Sequence, residues 1–64
     1  MDNQSKETVN KMIAWGHAYM DAMAVLAKDE IDIHHTLDYA YEIWPAQGHR
    51  DPAEVVKEDF DASA

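Results

Sequence analysis

Two histidine–aspartate pairs are the residues of this chain whose types and spacing could bind a metal ion. His17 and Asp21 lie four residues apart in the first predicted helix, and His34 and Asp38 have the same spacing in the second. Residues at this spacing share a helix face, so each pair can offer an imidazole and a carboxylate to one ion. Both pairs also fall on polar faces of an acidic chain, where such spacing arises without function. We therefore assign no metal and no cofactor, and keep a metal-responsive protein as an alternative hypothesis.

Catalytic chemistry has little support among the remaining residues. The chain has no cysteine, and its two serines, Ser5 and Ser63, stand near its ends. Adjacent carboxylates occur at positions 29–30 and 58–59, but a general acid needs a pocket that raises its pKa. A chain of 64 residues has little room for such a pocket. We expect a protein that is not an enzyme.

Direct binding to nucleic acid is also not expected. The segment 26–37 has the approximate spacing of a helix-turn-helix motif, but its turn lacks glycine. The helix that would enter the DNA groove carries Asp38 and Glu42 and neither lysine nor arginine. Contacts to phosphates need basic side chains. An acidic chain likewise disfavours an anionic membrane surface.

The excess negative charge lies in the second half of the chain. Residues 1–28 carry three acidic and three basic residues, whereas residues 29–64 carry ten acidic residues against Arg50 and Lys57, which accounts for the net charge of −8. Such charge either keeps a small protein soluble or meets a basic partner surface. The acidic residues that we predict to face a partner are Asp29, Glu30, Asp32, Asp38, Glu42, Glu54, Glu58 and Asp59.

A second predicted contact surface, for a partner or a second copy, is apolar. The first helix is apolar nearly all round, which is typical of a helix covered on two sides, although alanines also suit a solvated face. Tyrosine and tryptophan are common at interface hot spots, so Trp15 and Tyr39 are predicted to be exposed anchors. The predicted surface consists of Ala14, Trp15, Ala18, Ala22, Val25 and Tyr39.

The sequence predicts three helices that position these residues. They form an all-α single domain over residues 1–64. We expect a long helix over about 5–28, a second helix over about 33–44 folded back on it as a hairpin, a short helix over about 52–60, and a frayed segment 61–64. Asp32 should cap the second helix, and Pro45 should end it. Asp51, Pro52 and Glu54 have the spacing of a helix start.

Apolar periodicity predicts which helix faces form the core. The predicted stripe of the first helix consists of Val9, Met12, Ile13, Gly16, Met20, Met23 and Ala27, flanked by Trp15, Tyr19 and Leu26. The second helix should bury Ile33, Leu37, Ala40 and Trp44, and the third should bury Val56 and Phe60. A core of this size is marginal, and without cysteine no disulfide can support it.

These observations favour a small acidic protein-binding module that binds, and inhibits, a larger protein or complex. The expected partner has a basic surface, such as the groove of a nucleic-acid-processing enzyme, and a viral or mobile-element accessory factor is the kind of protein that works this way. The alternative is a structural homodimer whose charge serves only solubility.

Residues 1–4 lack the features of a signal peptide and no apolar run is long enough to span a membrane, so we expect a cytoplasmic protein.

Overall fold

The computed structural model of this protein describes residues 3–28 and 30–63, with side-chain surroundings for 6–28 and 30–62. It confirms the predicted all-α architecture: α1 spans Asn3–Leu26, α2 spans Ile33–Gln47 and α3 spans Pro52–Ser63. No strand occurs among these described residues. Both α2 and α3 pack along α1 and touch each other much less. The long helix is therefore the common support of the other two, with α2 folded back on it as predicted.

The first helix ends at Leu26, two residues earlier than predicted, because the backbone turns left-handed at Lys28 (φ 56°). The amide of Ala27 still donates to the carbonyl of Met23 at 2.8 Å. A residue with positive φ just after the last turn is a common way to end a helix, but the position usually holds glycine. The helix also begins at Asn3, two residues before the predicted start at residue 5.

The second helix continues through Pro45 to Gln47, so the prediction that Pro45 ends it is wrong. A proline removes only one backbone donor, and the hydrogen-bond ladder resumes beyond it. The amide of Gly48 donates to the carbonyl of Trp44 at 2.7 Å. At the other end the predicted cap is confirmed, since the Asp32 carboxylate accepts from the amide of His35 at 3.1 Å.

The third helix begins at Pro52 as predicted, and the Asp51 carboxylate accepts from the amide of Ala53 at 3.1 Å. It does not fray after Phe60 but continues to Ser63, while Ala64 lies outside the described residues. Phe60 and Asp61 line a depression together with Val25 and Leu26 at the C-terminal end of α1.

The core is built around two aromatic residues of α1 that we predicted to lie at the edge of its apolar stripe. Trp15 is only 8% exposed and Tyr19 is fully buried, and their rings stack with centroids 5.6 Å apart. The prediction of Trp15 as an exposed anchor is therefore wrong. Valines from α3 and an alanine from α2 complete the buried cluster, which consists of Trp15, Tyr19, Ala40, Val55 and Val56.

The core-facing side of α1 is rotated by about 60° from the predicted stripe, at 100° per residue. Val9 and Ile13, which we predicted to be buried, are 47% and 40% exposed. Gly16 of that stripe is buried, because the ring of Tyr41 lies directly against its Cα and leaves no space for a Cβ.

The core predicted for the other two helices is confirmed in part. Ala40 and Val56 are fully buried, and Trp44 is half-buried against the cluster. Ile33, by contrast, is 54% exposed, so the prediction that it is buried is wrong. Leu37 and Phe60 are half-buried.

The molecule is elongated, measuring 43 × 19 × 15 Å. Residues 6–11 of α1 are all exposed, whereas Trp15 already contacts the loop between α2 and α3. The N-terminal turns of α1 therefore project beyond the three-helix body. None of the helices, over its described residues, has the length and hydropathy of a membrane-spanning segment.

Candidate protein interaction surfaces

The histidine–aspartate pairs do not form a metal site in the described part of the chain. No three histidine, cysteine, aspartate or glutamate side chains come close enough there to bind one ion. The four residues His17, Asp21, His34 and Asp38 are all exposed. α1 and α2 meet instead through Tyr41 and the aromatic core. The helix faces that carry the histidine–aspartate pairs therefore do not face each other.

A cleft between α2 and α3 brings together three of the predicted acidic residues: Glu42, Glu58 and Asp59. Its volume is about 310 Å³. It exists because the two helices pack on α1 more closely than on each other. The other lining residues are Tyr39, Ile43, Ala46, Gln47, Arg50 and Val55.

Arg50 is the basic residue of this cleft, and its charge is already used within the chain. Its guanidinium donates to both carboxylate oxygens of Glu58, one at 3.0 Å, and to the side-chain oxygen of Gln47 at 3.2 Å. The hydrogen bonds from Arg50 lower the pKa of Glu58, and the same bonds raise the pKa of Arg50. Glu58 therefore holds the loop to α3, and its charge is largely compensated.

The floor of the cleft is tied to α1 by two hydrogen bonds from the aromatic core. The Tyr19 hydroxyl donates to the Asp59 carboxylate at 2.7 Å, and the Trp15 indole N–H donates to the carbonyl of Arg50 at 2.9 Å. Burial raises the pKa of Tyr19, and the hydrogen bond to Asp59 and its negative charge raise it further. Buried polar groups are thereby satisfied, and the two bonds join α3 and the loop before it to α1.

Glu42 and three further predicted acidic residues, Glu30, Asp38 and Glu54, are exposed. Their side chains make no hydrogen bond or ion pair with the residues that the structure describes. Glu42 lines the cleft, and the charge of Glu54 raises the pKa of Arg50, so both lie beside it. Asp32 is instead the cap of α2, and Asp29 lies outside the described residues.

The predicted apolar contact surface is not one continuous face, which corrects the sequence-based expectation. Trp15 belongs to the core, and Ala22 is half-buried against it. Tyr39 is 42% exposed but lies on α2 at the cleft, with its ring 6.1 Å from that of Tyr19. The exposed residues that remain on the predicted side of α1 are Ala14, Ala18 and Val25.

Two apolar depressions were missed by the sequence analysis. One, of about 450 Å³, lies between α1 and α3 beside Val25, Leu26 and Phe60. The other, of about 260 Å³, lies where α1 ends and α2 begins. It is lined by Met20, Asp21, Ala24, Ile31 and Ile33. Periodicity could not reveal either, because each joins residues of two helices.

Comparison of this chain with protein-family models, with curated proteins and with solved structures finds no match.

Proposed function

We propose that this protein is a small acidic module that docks on a basic surface of a larger protein and blocks that surface. The observation that carries the proposal is the set of exposed carboxylates of α2 and α3. Asp38 and Glu42 lie one turn apart on α2, Glu42 lines the cleft together with Glu58 and Asp59, and the charge of Glu54 on α3 acts on Arg50. Arg50, the basic residue between the two helices, is paired with Glu58. The cleft and its margins therefore present net negative charge.

A groove that normally holds nucleic acid is the basic surface that best complements this arrangement. Such grooves use lysine and arginine to contact phosphates, and carboxylates on two neighbouring helices can meet the same side chains. Occupation of the groove would exclude the nucleic acid, which gives inhibition without any chemical step. Tyr39 would supply an apolar contact at the cleft, since it is half-exposed and its ring is held near Tyr19.

The charge should act mainly on the rate and selectivity of association. Charges steer two proteins together over distances of about 8–10 Å at ordinary ionic strength. Association should therefore slow steeply as salt is raised from a low to a physiological concentration. A rate that does not depend on salt would contradict steering by these carboxylates.

The test uses a charge-reversed variant in which Asp38, Glu42 and Glu54 become lysine. Glu58 is left unchanged, because its reversal would break the ion pair with Arg50. The matched control reverses three exposed acidic residues elsewhere, Glu7, Asp21 and Asp61, so that both variants have the same net charge.

Each tagged protein is used as bait in nuclease-treated bacterial lysate, and the retained proteins are identified. The wild type and the control should retain a nucleic-acid-binding protein that the charge-reversed variant loses. An excess of an oligonucleotide that this partner binds should release it from the wild type. Equal retention by both variants, or retention that the oligonucleotide leaves unchanged, would contradict the proposal.

A further inference from the structure

An apolar stripe runs along one side of α1 and is most exposed in its N-terminal half. Val9, Ile13, Met20 and Ala24 fall within an arc of about 60° at 100° per residue. Val9 and Ile13 are nearly half exposed, and Met20 and Ala24 are half-buried at the depression beside α2. The core of a single chain therefore leaves the N-terminal half of the stripe exposed.

The N-terminal turns of α1 project beyond the body formed by the three helices. Residues 6–11 are all exposed, and most helical stability in proteins comes from packing of an apolar face. A depression lies at the other end of α1. Its apolar lining comes from Met20, Ala24, Ile31 and Ile33, of which Ile33 is 54% exposed.

The spacing of the stripe is symmetric about its middle. Val9 and Ile13 are four residues apart, as are Met20 and Ala24, and the midpoint of the set falls between Gly16 and His17. A twofold axis at this midpoint, perpendicular to α1, places the N-terminal half of the stripe against the C-terminal half of the stripe on a second copy. This is the self-complementary surface that a symmetric dimer needs.

We infer that two copies of this chain associate through antiparallel α1 helices. In this dimer Val9 packs against Ala24 of the second copy and enters the depression between α1 and α2, while Ile13 packs against Met20 of the second copy. Each N-terminal end of α1 is thereby covered and each depression is filled. Because the dimer is symmetric, this contact occurs twice. The acidic residues at the α2–α3 cleft lie on other elements, so the inference does not depend on the proposed function.

Charge complementarity supports a second copy as the occupant. Lys6 falls on the same side of α1 as the stripe at 100° per residue. In the antiparallel pair it would approach the turn that follows α1 of the second copy, where Glu30 and Asp32 are exposed. Opposite charges would therefore meet at both ends of the antiparallel pair. A parallel pair would bring like charges together at each end.

The first test is the mass of the protein in solution by sedimentation equilibrium. The wild type should have twice the mass of one chain, and Ile13→Glu should halve that mass because the substitution places a charge in the seam. Ala18→Glu is the matched control, since Ala18 is exposed on another side of α1. It should remain dimeric. Circular dichroism of each variant checks that the helices are retained.

The second test reports the register and exploits the absence of cysteine from the chain. His17→Cys places two thiols next to the twofold axis, so mild oxidation should link two chains efficiently. Ala18→Cys should link them many times more slowly. A wild type that is monomeric, an Ile13→Glu variant that stays dimeric, or faster linkage at position 18 than at 17 would each overturn the inference.

Discussion

Replacement of Tyr19 by phenylalanine tests the contact that fixes α3 on the long helix. The hydroxyl of Tyr19 donates to the carboxylate of Asp59 at 2.7 Å from a fully buried ring. Phenylalanine keeps the ring and its stacking on Trp15, and removes only the donor. The change therefore isolates one hydrogen bond between residues 40 positions apart.

The expected loss is about 1.5 kcal/mol, the lower end of the range for a hydrogen bond to a charged group. The lower end applies because Asp59 is only half-buried, so water can replace part of the lost bond. For a domain of this size such a loss lowers the melting temperature by about 6–12 °C. Thermal unfolding followed by circular dichroism at neutral pH measures it.

The same substitution should remove a dependence of stability on alkaline pH. Burial and Asp59 raise the pKa of Tyr19 above its ordinary value of 10.0. Above that pH the unfolded chain releases this proton while the folded chain holds it, so the free energy of unfolding falls as pH rises. The stabilisation is complete below pH 10 and is lost as the pH approaches the raised pKa. Tyr19→Phe should abolish this contribution.

Tyr39→Phe is the matched control, because Tyr39 is half-exposed and its hydroxyl donates to no side chain of the described residues. It should change the melting temperature little. Equal losses in the two variants, or an alkaline dependence that survives in Tyr19→Phe, would refute the assigned contact between Tyr19 and Asp59.

Three further substitutions test the elements around this core. Gly16→Ala should destabilise the fold by about 1–3 kcal/mol, because a Cβ there overlaps the ring of Tyr41; denaturant unfolding measures it. Arg50→Gln should reduce stability at neutral pH, because Arg50 lowers the pKa of Glu58 below 4.5. This stabilisation is lost as the pH falls through the lowered pKa, so the stabilities of the wild type and the variant should converge in acid. NMR titration of the carboxyl groups should show a higher pKa for Glu58 in the variant. Lys28→Gly should stabilise the chain by up to about 1 kcal/mol, because Lys28 has a φ of 56°; its melting temperature should rise.

The helices could be predicted because their signals are local in sequence. Asp32 caps α2 through the amide of His35, and Asp51 followed by Pro52 starts α3, and each of these signals lies within four residues of its effect. The end of α2 was predicted wrongly because the rule for Pro45 considers one missing donor and ignores the packing on both sides of it. Trp44, beside it, contacts the core.

The side of α1 that is buried could not be predicted in the same way. This helix is apolar around most of its circumference, so periodicity alone favours several faces almost equally. Hydrogen bonds to residues 35 and 40 positions away decide among them, because they direct Trp15 and Tyr19 inward. For the acidic surface, the exposure of Asp38 followed from its predicted place on the polar face of α2. The pairing of Glu58 with Arg50 did not, since a loop brings the two together.

The apolar circumference of α1 also separates the two roles proposed for the chain. If α1 had only to support α2 and α3, Val9 and Ile13 would face water without benefit, because they lie outside the core and contribute exposed apolar area. Exposed positions of α2 and α3 include Asp38, Glu42 and Glu54, whereas Val9 and Ile13 of α1 are exposed and apolar. An antiparallel pairing of two α1 helices accounts for that difference, and it leaves the acidic residues of α2 and α3 free to meet a basic partner.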